Sequence, residues 1–145
     1  MTKPVIRPMR VEDAQAVATL ATQLGYPSSE AQLAERIPRV LGLGDAAVMV
    51  AEDAGAVIAW IHVELRRTLV ADQEAQVMAL VVDERCRGRG IGAALMSKAE
   101  RWTRERGAVK LRVGSRTTRE GAHRFYEREG YALAKTSHWF QKDLA

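Results

Sequence analysis

The segment Arg87-Gly88-Arg89-Gly90-Ile91-Gly92 constrains the fold of this chain more than any other stretch. It follows Ala75–Val82, AQVMALVV, which is nearly all apolar and reads as a central strand covered on both faces. It precedes Ile91, Leu95, Ala99 and Trp102, which lie on one helical stripe that Gly107 closes. The unit is therefore strand, glycine loop, helix. The first N–H groups of a helix lack internal partners, and the helix dipole adds partial positive charge there. Glycines let an anion approach the backbone, so such a turn can hold a pyrophosphate. Arg85, Arg87 and Arg89 add full charges within reach of phosphate oxygens. A tight strand-to-helix turn without a ligand would use the same glycines. The segment is not a Walker loop, because no Lys-Ser/Thr follows. Nor does it sit as a dinucleotide fingerprint, because it falls late, after an antiparallel-looking hairpin.

The remaining elements place this unit. Val5–Arg7 reads as a short first strand. Ala14, Val17, Leu20, Ala21 and Leu24 recur at helical spacing before a stop at Gly25. Ser29 with Gln32 forms a capping box for a second helix through Leu33, Arg36, Ile37, Val40 and Leu41, which Pro38 should kink or shorten. Ala47–Ala51 and Val57–Leu65 alternate around the turn Glu52-Asp53-Ala54-Gly55 and predict a hairpin. Val109, Leu111 and Val113 mark another strand, and Ala122, Phe125, Tyr126 and Glu129 a last helix stopped by Gly130. Two final strands are expected at Tyr131–Ala134 and His138–Lys142. The order predicts an α/β fold, with a mixed, mostly antiparallel central sheet and helices on both faces. With 145 residues and no linker, repeat or low-complexity run, one domain over 1–145 is expected.

Composition narrows the class. The single cysteine, Cys86, cannot form an internal disulfide, and no Cys/His set has metal-ligand spacing, so no metal is expected. The N-terminus carries charges where a signal peptide would be apolar, and no run approaches a membrane span. A cytoplasmic protein with no membrane partner is expected. Net charge is +4, with arginines interleaved among acids, so specific nucleic-acid binding is not expected.

LVVDERCRGRGIGAALM resembles the acyl-CoA signature of the GNAT superfamily of N-acetyltransferases, Gln/Arg-x-x-Gly-x-Gly/Ala after a bulged strand. Arg87, Gly90 and Gly92 fill its fixed positions. AHRFYEREGY resembles the second family motif through Ala122, Phe125, Tyr126, Gly130 and Tyr131, and IRPMRVEDAQAV resembles the first strand and helix. The resemblance implies a GNAT-like fold and acetyl-CoA as co-substrate. It implies that the pantetheine arm pairs with the exposed backbone of Met78–Val82, through Leu80, Val81 and Val82, with Leu80 and Val82 foremost. It puts the pyrophosphate on Arg87, Gly88, Arg89, Gly90, Ile91 and Gly92. It makes Tyr126 the phenol facing the cofactor sulfur, and so both a cofactor contact and a general acid for the departing thiolate. Arg119 stands where the family often has a cofactor-binding Asn. Met78 stands where many members carry a Glu as general base.

The base is therefore open. An alkylammonium with pKa near about 10 must lose a proton before attacking a thioester. His62, on the Trp60 face of its strand with Glu64, and Glu74, before the central strand, are the candidates, with His138 behind them. A satisfied core histidine and a solvated strand end are the plain readings of the first two. Tyr26, in the turn Leu24-Gly25-Tyr26-Pro27, matches the acceptor-side loop of the family. The expected function is transfer of the acetyl group of acetyl-CoA to a primary amine of a small molecule or peptide, by direct attack in a ternary complex. A non-catalytic acyl-CoA sensor is the alternative, and a homodimer is a possible assembly.

Overall fold

The structure, a computed structural model, describes residues 3–145. These form two compact units divided between Val113 and Gly114. The first holds β1 (Val5–Pro8), α1 (Ala14–Leu24), α2 (Glu30–Leu41), β2 (Ala46–Asp53), β3 (Ala56–Arg66), β4 (Glu74–Val82), α3 (Ile91–Glu105) and β5 (Leu111–Val113). The strands lie in sequence order in one sheet. The first three pairings are antiparallel and β4–β5 is parallel, as the mixed pattern predicts.

Alternation along β2 and β3 separates two faces. Val48, Val50 and Trp60 join Met9, Val17, Leu20, Leu33 and Ile37 in one core, so α1 and α2 cover that face. Ile61 and Val63 point the other way, where α3 packs on β3 and β4 with Leu95, Met96 and Ala99 fully buried. Helices thus cover both faces. At Ala54-Gly55 both φ angles are positive (50° and 82°), which matches the right-handed strand twist in a two-residue hairpin.

Local signals set the helix ends. Gly25 closes α1 at φ 108°, a conformation that favours glycine. Ser29 Oγ accepts from Gln32 N–H, and Gln32 Oε1 accepts from Ser29 N–H. Pro38 does not shorten α2, which runs on to Leu41. Near the C-terminus its missing donor costs a single intrahelical bond, and the helix still ends in the 3.0 Å bond from Gly42 N–H to Pro38 O.

The second unit contains α4 (Glu120–Arg128), followed by Gly130 at φ 92°. The strands expected at Tyr131–Ala134 and His138–Lys142 are absent: residues 131–145 carry no regular secondary structure. A strand needs a ladder partner, and local alternation alone does not supply one. Leu133, Trp139, Phe140 and Leu144 are exposed. Among the described residues no helix is long and apolar enough to cross a membrane.

Candidate active site

The sheet forks at β4. Its parallel partner β5 matches only Ala75, Gln76 and Val77. On the other side β3 stays paired as far as Ala59↔Val82. Register jumps from Val63↔Val77 to His62↔Ala79, so Met78 is the extra residue of a β-bulge. Beyond Val77, therefore, one backbone edge of β4 has no strand beside it in this unit. Asp83 N–H donates to Ile58 O at 2.7 Å, on the β3 side. Alternation then turns the backbone of Ala79 and Val81 toward β3, and that of Leu80 and Val82 toward the open edge. Val81 is buried in the α1–α2 core and offers its backbone to β3.

The open edge runs directly into the glycine loop. Asp83 is buried and accepts from Arg85 N–H and the Arg85 guanidinium, which hold its carboxyl below the usual range. Glu84 N–H donates to Gln23 Oε1 of α1 at 3.1 Å. Gly88 and Gly90 both adopt positive φ, 81° and 77°. The first intrahelical bond of α3 joins Ala94 N–H to Gly90 O, so the preceding N–H groups project from the helix end. A Cβ at Gly88 or Gly90 would meet no protein atom within 4 Å. The space over these glycines is open to a ligand.

The loop arginines are not equivalent. Arg85 is paired with Asp83, and Arg89 donates to Asp53 Oδ2 at 2.9 Å. Arg87 is exposed and makes no ion pair among the described residues. Three free charges were expected here; two of them are committed to carboxylates. Asp53 carried no sequence signal, because its partner lies 36 positions away.

His62 sits on the α1–α2 face, opposite Ala79 and beside the bulge. Its Nε2 lies 2.8 Å from Glu64 Oε2. The contact lacks hydrogen-bond geometry, so Nε2 is buried without a directed bond among the described residues. Burial lowers the His62 pKa, and Glu64 opposes the shift. Glu74 is neither solvated nor free. It is buried at the far end of β4, and Arg112 donates to it at 2.9 Å.

In the second unit, half-buried Tyr126 stacks edge-on against Phe125 and Tyr131, with centroids 5.2 and 6.2 Å away. Burial raises its pKa, opposed by Arg119. The phenol is therefore protonated at neutral pH. Arg119 is exposed at the start of α4, where its carbonyl accepts from His123 N–H. His138 is exposed in the irregular tail, and Tyr26 is exposed between α1 and α2. A separate open cavity of about 410 Å³ lies between β1 and α3, lined in part by Lys3, Ser97, Lys98 and Arg101. It adjoins neither the loop glycines nor the open edge of β4.

This architecture has relatives. The model of the acetyltransferase (GNAT) family matches residues 14–131. The chain belongs to that family, whose members are acetyl-CoA-dependent N-acetyltransferases. It is similar to the aminoalkylphosphonate N-acetyltransferase of Salmonella typhimurium, 41% identical over 70 residues, 48% of this chain and 44% of that one. That alignment spans less than half of the Salmonella protein. It is also similar to the aminoglycoside N(6')-acetyltransferase type 1 of Stenotrophomonas maltophilia, 28% identical over 97% of this chain and 94% of that one. Among solved structures, AAC(6')-Iy in complex with the bisubstrate analogue CoA-S-monomethyl-acetylneamine superposes with a TM-score of 0.87. At 16% identity over 98% of this chain and 99% of that one, it shares the fold.

Proposed function

We propose that this protein transfers the acetyl group of acetyl-CoA to the primary amine of a small molecule by direct attack in a ternary complex. The observation that carries the reading is the unpaired β4 edge running straight into a glycine loop at a helix N-terminus. An extended amide chain ending in a pyrophosphate has the shape and hydrogen-bonding pattern of that track. Leu80 and Val82 would pair with the pantetheine amides, and the N–H groups from Arg87 to Gly92 would hold the pyrophosphate. Arg119 would add charge near the cofactor. Both curated relatives are named for small amines, an aminoalkylphosphonate and an aminoglycoside, which favours a small acceptor over a peptide. Cytoplasmic residence is consistent with the single cysteine. Leu133, Trp139, Phe140 and Leu144, exposed in the tail, favour association with a second copy.

His62 is the base this geometry favours. Burial keeps it neutral near pH 7, so it can accept a proton from an ammonium, directly or through water. Glu74 is held by Arg112 and would lose that pair by shuttling a proton. Tyr126 is the proposed acid for the CoA thiolate. An amine screen following CoA release tests the activity; acetyl-CoA binding without turnover on any amine would favour a sensor instead.

Two variants test the parts. Gly90→Val puts a branched side chain over the phosphate track and weakens acetyl-CoA binding by about tenfold or more, since crowding of this kind costs about 1–3 kcal/mol. Valine at φ 77° is also strained. Gly107→Val has φ 82° and the same open surroundings at the other end of α3, so it shares the strain and spares the ligand. Calorimetry should show weaker binding in the first variant only; equal affinities would remove the phosphate loop from the site. Cys86→Ser should retain turnover, with intersecting initial-rate lines, because transfer is direct. Parallel lines, or loss of activity in this variant, would point to an acetyl-cysteine intermediate.

A further inference from the structure

We propose that Asp53 is a positioning residue for cofactor binding, acting through an ion pair with Arg89 that clamps the phosphate loop to the β2–β3 turn. The inference rests on the phosphate-loop reading above. Arg89 is the residue between Gly88 and Gly90, both at positive φ, so the backbone on either side of it sits in the conformation that is cheapest to leave. A loop built on two glycines has the most conformational freedom to lose when a ligand orders it. Something must hold it, and the side chain between them does.

The guanidinium of Arg89 turns back to Asp53 Oδ2 at 2.9 Å, with side-chain exposures of only 25% and 16% for the two partners. Asp53 is itself fixed. It is the last residue of β2, opposite Ala56 across the two-residue Ala54-Gly55 turn. Two other tethers of the loop, Asp83 N–H to Ile58 O and Glu84 N–H to Gln23 Oε1, lie upstream of the glycines. The Asp53–Arg89 pair restrains the glycine segment itself. It leaves the space over Gly88 and Gly90 open, and it leaves exposed Arg87 to meet an anion.

Electrostatics alone predicts the opposite of the clamp. Asp53 is a negative charge beside a site for an anion, so its removal should strengthen binding if Arg89 served as a phosphate ligand freed by the change. If Arg89 works by holding the loop, removing Asp53 weakens binding. The test measures acetyl-CoA affinity and steady-state kinetics in Asp53→Asn, Arg89→Gln and the double variant. The clamp predicts that each single change raises the acetyl-CoA Kd and KM about three- to tenfold with kcat within about twofold. The double variant should be no worse than Arg89→Gln alone, because the ion pair is lost in all three. Tighter binding in Asp53→Asn, or losses that multiply in the double variant, would overturn the clamp. A fall in kcat with the acetyl-CoA KM unchanged would also overturn it. The Gly90→Val comparison separates the two levels. If that variant weakens binding and Asp53→Asn does not, the clamp fails and the phosphate loop stands. If neither affects binding, the loop reading fails as well.

Discussion

His62→Gln should lower kcat by about a hundredfold at neutral pH, the low end of what a positioned general base contributes. Glutamine keeps a polar side chain on β3 and removes the titrating nitrogen. The pH profile carries the sharper signature. Burial sets the His62 pKa below its usual value, so the imidazole is neutral over most of the working range. Activity of the parent should fall with acidification as His62 takes up a proton and can no longer accept one. That acidic limb should vanish in the glutamine variant. Glu64 raises the His62 pKa, so Glu64→Gln should move the limb to lower pH. An unchanged kcat with an unmoved limb in His62→Gln would place the base elsewhere.

Tyr126→Phe should lower kcat by about tenfold to a few hundredfold. Collapse of the tetrahedral intermediate expels a thiolate, and a thiol with a reference pKa near about 8.5 leaves tolerably without help. Protonation therefore assists without being indispensable. The raised pKa of Tyr126 points the same way, since the phenol is present in its acid form yet gives up its proton reluctantly. Phenylalanine keeps the ring packed against Phe125 and Tyr131 and removes only the hydroxyl. Acetyl-CoA affinity should stay within a few-fold and the melting temperature should barely move. A melting temperature that falls while kcat holds would make Tyr126 a packing residue.

The sequence carried the local features and missed the long-range ones. Ser29 with Gln32, Gly25 after α1 and Ala54-Gly55 in the hairpin each act within a few residues, and the structure realises all of them. The family resemblance implied a bulged strand, but the residues themselves do not place the bulge at Met78, because AQVMALVV is nearly all apolar in either register. Asp53–Arg89 and Glu74–Arg112 join residues 36 and 38 positions apart, which only the folded sheet brings together. The tail failed for the reverse reason: its local pattern resembles a strand, and no partner completes it. Of the candidate site, the glycines and the run before them were legible. Which loop arginines remain free, and the burial of His62, depend on neighbours that no local pattern names.

The extra residue in β4 is a phase dislocation. Ala75 and Val77 pair with Leu65 and Val63 on the α3 face, whereas Ala79 and Val81 pair with His62 and Trp60 on the other. Odd numbers mean one side before the dislocation and the opposite side after it. Losing Met78 itself would heal the alternation with both halves on their present faces, whereas one more residue, or one fewer without closing the bulge, would turn half the strand inside out. Substitutions that keep apolar character leave both halves in phase, so this strand should tolerate changes of spelling far better than a change of length anywhere but at Met78.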